Sequence, residues 1–157
     1  MRKMIALFVM LLFLGLSISS STGFNVEKQS IKPLSSGNIL YVGGNGTGNY
    51  SKIQDAINDS SNGDTVFVYD DSSPYYENLI VNKSIDLIGE DRNSTVIHGS
   101  NYSCVVRATA DFVAVIEFTI KNSSSSWNIS GIHIISNYSS MNGSIIVSNI
   151  ANGIYLG

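Results

Sequence analysis

The chain has 157 residues, 13% of them charged, and its formal net charge at pH 7 is −3. An acidic chain offers no basic surface for a nucleic acid backbone, so we exclude nucleic acid as a partner. A single cysteine, Cys104, excludes a fold built on disulfides, and we interpret it as a small, buried hydrophobic residue.

The N-terminus has the order of segments that is typical of a secretory signal peptide. Arg2 and Lys3 precede the apolar run Met4–Leu14, which Gly15–Ile18 extend, and a patch of small residues follows. About 14 apolar residues are fewer than the roughly 20 that a spanning helix needs, which argues against an uncleaved anchor. We predict a signal peptide over residues 1–23, a secreted or cell-surface protein, and no membrane span after cleavage. Without Arg2 and Lys3, the net charge becomes −5.

Residues 24–38 are polar and are interpreted as a linker, and the short strand "ILYV" follows. Four glycines then fall within six residues, Gly43–Gly48, ahead of a helix, which is the order found at nucleotide sites. A P-loop requires Lys directly after its last glycine, but Gly48 is followed by Asn49. The dinucleotide fingerprint also fails, because its third glycine falls one residue early. We interpret the loop as a sharp turn that uses positive φ.

A short helix is predicted over about residues 51–60. Ser51 and Gln54 have the spacing of a capping box, in which each side chain bonds an amide near the helix start. Gly63 is the predicted C-terminal cap. One face of the helix is apolar and is expected to pack on the core, through Ile53, Ala56 and Ile57.

After Asp64 the sequence predicts only short strands, separated by Ser, Asn, Gly and Asp. The runs are "TVFVY", "NLIV", "SIDLIG", "TVIHG", "CVVRA", "FVAVIEFTI", "GIHII", "SIIVS" and "GIYLG". Such spacing allows a sandwich, a barrel or a solenoid. The similar segments that begin at Gly131 and Gly153 lie about 22 residues apart, which favours a solenoid. The two-residue hairpin turns that an antiparallel sandwich requires are mostly missing.

The segment "GNYSKIQDAINDSSNGDTVFVYDDSSPYYENLIVNKSIDLIGEDRNSTVIHG" is followed by "FTIKNSSS" and "GIYL". In these residues the chain, from about Asn38 onward, resembles the right-handed parallel β-helix proteins of the pectin-lyase-like superfamily. The nearest resemblance is to the NosD-like, carbohydrate-binding-and-sugar-hydrolase group of archaeal and bacterial surfaces. It implies an all-β fold, a right-handed, single-stranded parallel β-helix over residues 39–157. The helix over 51–60 would then cap the apolar end of the first coil.

About three coils fit between Thr65 and Gly157, near the minimum for a stable stack. The chain ends directly after "GIYL", and stacked coils expose an apolar end face and unpaired strand edges. We therefore expect a C-terminal truncation, with further coils beyond Gly157, or else self-association through this edge.

Catalytic residues do not follow from the resemblance. Pectin methylesterases use two aspartates, a glutamine and an arginine on later coils, but the only glutamines here are Gln29, in the linker, and Gln54, in the capping box. Asp111 precedes Phe112 as in those esterases, yet the Ile-Phe-Gly that should follow is absent, so Asp111 is interpreted as beginning a turn. We predict no catalytic residue.

Metal and cofactor sites are not predicted either. The pairs Asp70-Asp71 and Glu90-Asp91, near Arg92, are interpreted as solvated turn residues, since a calcium site needs more clustered oxygen ligands. Copper needs imidazole or sulfur ligands in a cluster. After signal removal, the chain has such side chains at His98, Cys104, His133 and Met141, but their spacing is not that of a metal site. Both histidines are expected to face outward beside turns.

Aromatic residues in polar turn segments are the predicted carbohydrate-binding residues, because aromatic ring faces stack on sugar rings. These residues are Tyr75, Tyr76, Tyr102, Trp127 and Tyr138. A competing interpretation is that Tyr75 and Tyr76 pack the loop of the first coil.

Asn-x-Ser/Thr triplets are dense in this chain and are candidate glycosylation sites in an exported protein, provided that the host glycosylates; otherwise they are polar turns. They begin at Asn45, Asn49, Asn58, Asn82, Asn93, Asn101, Asn122, Asn128, Asn137 and Asn142.

The sequence thus favours an exported, non-catalytic surface module that binds a polysaccharide or cell-surface glycan, or that serves as a scaffold. The alternative is the N-terminal part of a pectinesterase-like or polysaccharide-lyase-like enzyme whose catalytic coils lie beyond this chain.

Overall fold

The computed structural model describes residues 37–100, 103–123, 129–149 and 152–157, which lie within one compact unit, Leu34–Gly157. The predicted signal peptide and most of the predicted linker lie outside the described residues. The end of that linker belongs to the fold, because the Asn38 N–H donates to Asp64 Oδ1 at 2.8 Å. In the described part of the chain, no helix is long and apolar enough to cross a membrane.

Short strands and one short helix make up the regular structure of these residues. In chain order they are β1 (Ile39–Val42), α1 (Ile53–Asp59), β2 (Thr65–Val68), β3 (Leu79–Val81), β4 (Asp86–Gly89), β5 (Val96–His98), β6 (Val106–Ala108), β7 (Ala114–Ile116), β8 (Thr119–Lys121), β9 (Ser130–Ile134), β10 (Ser140–Asn142), β11 (Ile145–Val147) and β12 (Asn152–Leu156).

The strands form three parallel sheets, and successive strands of a sheet come from successive turns of the chain. The sheet orders are β1-β2-β4-β7-β10, β5-β8-β11 and β3-β6-β9-β12. This confirms the predicted parallel β-helix, with about four turns. The predicted count of about three was too low because the first turn, from Thr65 to Val81, lacks a strand in the second sheet. Tyr75 occupies that place with a single parallel bridge to Ile97.

Parallel register places equivalent inward side chains directly on one another, and this builds the core. Strands such as β2, β4 and β5 alternate between buried and half-buried positions, as expected when one face of each sheet is inside. The stacked inward positions are Val66, Leu87 and Val115 in the first sheet, Ile97 and Ile120 in the second, and Leu79, Val106 and Ile132 in the third. All of these are at most 2% exposed.

The corners between sheets use left-handed backbone at equivalent positions of consecutive coils. The run "FVAVIEFTI" was expected to be one strand, but it turns at Glu117 (φ 59°) and divides into β7 and β8. Left-handed residues pair along the stack, Phe112 (φ 58°) with Tyr138 (55°), Glu117 with Gly143 (65°), and Asn122 (66°) with Ser148 (53°). The repeated conformation turns the third and fourth coils at equivalent places.

The repeat inferred from Gly131 and Gly153 is correct for one coil only. Ile132 pairs with Ile154, as the two similar segments predict. Elsewhere the number of residues from one coil to the next varies. For example, fewer residues separate Thr65 from its partner Asp86 than separate Asp86 from its partner Ala114. Coils of unequal length obscure the repeat in the sequence.

Helix α1 packs as predicted, but its predicted caps are wrong. Its apolar side chains are completely buried: Ile53, Ala56 and Ile57. The N-cap residue, Lys52, makes no side-chain capping bond; instead the N–H groups of Ile53 and Gln54 donate to the two carboxylate oxygens of Glu77, at 2.9 and 3.0 Å. Gln54 bonds the backbone of Ile80, not the helix start. The helix ends at Ser60, ahead of the predicted Gly63.

The glycine loop is a structural turn, as predicted. Gly43, Gly44 and Gly48 have φ of 75°, 69° and 88°, values that side chains rarely tolerate. The loop is held in place because the Gly44 N–H donates to Asp71 Oδ1 at 2.9 Å.

Ile57→Asp should destabilise the protein by about 3–5 kcal/mol, because it places an unpaired carboxylate in the core beneath α1. The melting temperature should fall by about 10 °C or more. Asn58→Asp, one residue along on the exposed side of the helix, is the matched control and should melt like wild type. Equal melting of the two variants would contradict the packing role of α1.

Glu77→Gln should cost about 1–2 kcal/mol in urea unfolding, because an amide offers one acceptor oxygen where the carboxylate offers two. Glu117→Gln is the control, since it breaks only the exposed ion pair with Arg92 and should cost less than about 1 kcal/mol. If both substitutions cost the same, Glu77 is not the cap of α1.

Candidate functional site

Tyr75 was predicted to present its ring to a carbohydrate, and the structure contradicts this. The side chain is only 4% exposed, and its hydroxyl donates to the carbonyl of Tyr69 at 2.7 Å. Burial raises the pKa of Tyr75 to about 12. The competing interpretation, in which Tyr75 and Tyr76 pack the loop of the first coil, agrees with the burial of Tyr75 but not with the exposure of Tyr76.

Two other predicted aromatic residues are on the surface. Tyr76 is 74% exposed and its ring lies 5.0 Å from that of His98, while Tyr138 is 77% exposed and stacks on Phe112 at 5.1 Å. Because Tyr76 and Tyr138 pack on different neighbours, they do not form one site. Tyr102 and Trp127 lie outside the described residues.

A cleft of about 560 Å³ lies beside the glycine loop, where the first sheet begins. Its walls come from three parts of the chain that the fold brings together: β1 and the glycine loop, the turn after β2, and the turn after β4. The lining residues are Tyr41, Gly44, Asn45, Gly46, Asn49, Tyr69, Asp70, Asp71 and Glu90.

Stacked aromatic rings form one wall of this cleft. Tyr41 faces outward from β1 and is 39% exposed. Its ring centroid lies 6.0 Å from that of Tyr69 with an interplanar angle of 22°. Phe67, the register partner of Tyr41, packs edge-on against both tyrosines, at 6.1 and 5.2 Å. The three rings hold each other in fixed orientations.

Three carboxylates form another wall. In each of them, one oxygen accepts a hydrogen bond that orients the group. Ser94 donates to Asp70 Oδ2 at 2.6 Å, the Gly44 N–H to Asp71 Oδ1 at 2.9 Å, and the Asp70 N–H to Glu90 Oε2 at 3.1 Å. Asp70 and Asp71 are therefore more than the solvated turn residues that the sequence predicted. Within the described ranges, no Lys, Arg or His forms an ion pair with these carboxylates.

Asparagine amides complete the lining. Asn49 is fixed because its Nδ2 donates to the Gly43 carbonyl at 2.6 Å and its N–H to the Gly46 carbonyl at 3.2 Å. Asn45, at the tip of the loop, is exposed. The cleft thus combines aromatic faces, oriented carboxylates and amide groups.

Two of the residues that could bind copper, Cys104 and His133, are far apart in the sequence but close together in the structure. Cys104 is half-buried, not buried as predicted, and its Sγ lies 3.9 Å from His133 Nδ1 and 3.8 Å from Ser130 Oγ. Burial, with a smaller contribution from Arg107, lowers the pKa of His133. Over the residues that the structure describes, no group of three or more His, Cys, Asp or Glu residues could hold a metal ion.

Asp111 has the turn role that the sequence predicted, because its Oδ1 accepts a hydrogen bond from the Asn137 N–H at 2.8 Å. The carboxylate thereby links the corners of two consecutive coils. Its function in the described structure is to stabilise the stack.

Two half-buried glycosylation candidates donate a hydrogen bond to the backbone through their side-chain nitrogen. Asn49 and Asn122 are half-buried, and the Asn122 Nδ2 donates to the Gly99 carbonyl at 2.9 Å. A glycan at either nitrogen would replace one of its two hydrogens and would have to fit beside half-buried backbone. The exposed candidates remain predictions, at Asn45, Asn58, Asn82, Asn93, Asn137 and Asn142, and Asn101 and Asn128 lie outside the described residues.

Sequence reasoning did not find the tyrosines of the cleft. Tyr41 lies in β1 and Tyr69 directly follows β2, so both were assigned to the β pattern and not to a surface. One signal was available. Tyr41 pairs with Phe67, and Tyr69 lies two residues after Phe67, so all three fall on the same outward face of a parallel sheet.

No protein-family model matches the chain, and neither a curated protein nor a solved structure matches it. The parallel β-helix is therefore shown by the structure alone.

Proposed function

We propose that this protein is an exported, non-catalytic surface module that binds carbohydrate in the cleft beside the glycine loop. The observation that carries the proposal is the joint presence of Tyr41, Tyr69, two asparagines and three oriented carboxylates around one cavity. Aromatic faces accept the C–H side of a sugar ring, and carboxylates and amides bond its hydroxyl groups.

The size and rigidity of the cleft support this proposal. A volume of about 560 Å³ is in the range of small-molecule sites, and is large enough for a short oligosaccharide. Each wall is fixed by hydrogen bonds or ring packing, so little conformational freedom would be lost on binding. The site is formed before its ligand arrives.

The sequence supports the location and the class of ligand. The signal-peptide pattern over residues 1–23 favours export, and the dense Asn-x-Ser/Thr triplets suit an extracellular surface. The resemblance to the pectin-lyase-like superfamily, and to its NosD-like group, favours carbohydrate as the ligand. The fold alone favours no activity, because a single fold carries many functions.

A non-catalytic role is favoured over the alternative enzyme. The side chains that line the cleft include no Gln, Arg, Lys or His in the described part of the chain. An esterase of the pectin type would need the first two of these beside its aspartates.

Glycan-array screening of the secreted protein should identify at least one bound oligosaccharide class. Tyr41→Ala and Tyr69→Ala should each weaken that binding about five- to tenfold, corresponding to about 1–1.4 kcal/mol for a lost ring contact. Tyr138→Ala removes an exposed ring outside the cleft and is the matched control. Isothermal titration measures the three variants and the wild type.

Three results would contradict the proposal. Loss of binding in Tyr138→Ala but not in Tyr41→Ala would move the site to the Phe112–Tyr138 stack. Release of reducing ends or methanol from a bound glycan would favour the enzyme. Absence of binding to any glycan would leave a structural scaffold as the function of the protein.

A further inference from the structure

We infer that the cleft is specific for amino sugars with a free ammonium group, such as oligomers of glucosamine. This inference rests on the proposed function and specifies the ligand class of the same site. It follows from the sign of the charge in the cleft, which differs from what a pectin-like, acidic ligand would require.

The charge of the cleft is negative and uncompensated. Asp70, Asp71 and Glu90 contribute three carboxylates, and the lining contains no cationic side chain among the described residues. The nearby Arg92 is held by Glu117, with its Nε 2.9 Å from Oε2. A polyuronate would bring further negative charge into this cavity and be repelled, whereas an ammonium group would be attracted.

The carboxylates are positioned to accept from a ligand. In each of the three, one oxygen is engaged in orienting the group within the fold, as described above. The other oxygens, Asp70 Oδ1, Asp71 Oδ2 and Glu90 Oε1, accept no hydrogen bond from the described residues. An ammonium group has three N–H donors and forms its strongest hydrogen bonds with such oxygens.

The tyrosine rings also favour a sugar that carries a free ammonium group. A cation near the face of a tyrosine is attracted by the ring quadrupole, and the apolar face of a sugar also stacks there. A glucosamine unit supplies both groups at once, an ammonium for the carboxylates and a C–H face for Tyr41 or Tyr69. An N-acetylated unit supplies only the second.

The experiment compares two tetrasaccharides of equal length, tetra-glucosamine and tetra-N-acetylglucosamine, by isothermal titration with the secreted protein at low salt and mildly acidic pH. We expect at least about tenfold tighter binding of tetra-glucosamine, since its ammonium groups form charge-assisted hydrogen bonds. Raising the salt concentration should reduce this advantage, because the carboxylates lie at the surface. Polygalacturonate oligomers should not bind.

The variant Glu90→Gln keeps an acceptor for the Asp70 N–H and removes a charge, and Asp70→Asn keeps an acceptor for Ser94. Either variant should reduce the preference for tetra-glucosamine several-fold, and the two together should abolish it. Asp55→Asn, an exposed carboxylate on α1 outside the cleft, is the control and should keep the full preference. Thermal melting verifies that each variant is folded.

Tyr69→Ala separates the two contributions, because it should weaken binding of both tetramers. Equal affinity for the two tetramers, a preference for the acetylated one, or a preference that survives in the Asp70→Asn/Glu90→Gln protein would each overturn the inference. Binding of polygalacturonate would do so as well. In these cases glycan binding that depends on Tyr41 would still support the proposed function, whereas no binding of any glycan would overturn both.

Discussion

The stacking of each inward aliphatic side chain on its equivalent in the previous coil is the interaction on which this structure depends. Val66, Leu87 and Val115 show it most simply, since three consecutive coils place them in one column with at most 2% exposure. The column fixes the parallel register, and the register determines which residues of each turn come together outside. Burial of these side chains contributes about 1.5–3 kcal/mol each, measured against an exposed side chain.

Carboxylates tie the segments before the first complete coil to the stack. Asp64, Asp71 and Glu77 each accept N–H groups from an earlier segment, which include those of Asn38, Gly44 and the first turn of α1. In the part of the chain that the structure describes, these N–H groups have no preceding coil with which to pair. Acidic side chains from later turns therefore satisfy groups that a neighbouring strand satisfies elsewhere, and they position the glycine loop over the cleft.

The sequence predicted what depends on local pattern. The repeat of about 22 residues and the lack of hairpin turns favoured a solenoid, the family resemblance implied a parallel β-helix, and i, i+3, i+4 spacing predicted the buried face of α1. It did not predict the cap, because Glu77 lies 24 residues after Ile53 and only the coil geometry brings them together. The cleft was missed for the same reason, since Tyr41 and Glu90 belong to different coils. Tyr75 was misjudged because a turn has no alternation to show which way a side chain points.

The coils differ in length, and the corners accommodate the difference without loss of register. This has an evolutionary consequence. Each coil contacts only its neighbours along the stack, so a few residues can be inserted in one corner while every column inside keeps its order. The corner segments are thus free to diversify, as antibody loops are on their constant framework. A lineage with this architecture could change the ligand that its cleft accepts by lengthening one turn, with no compensating change in the interior.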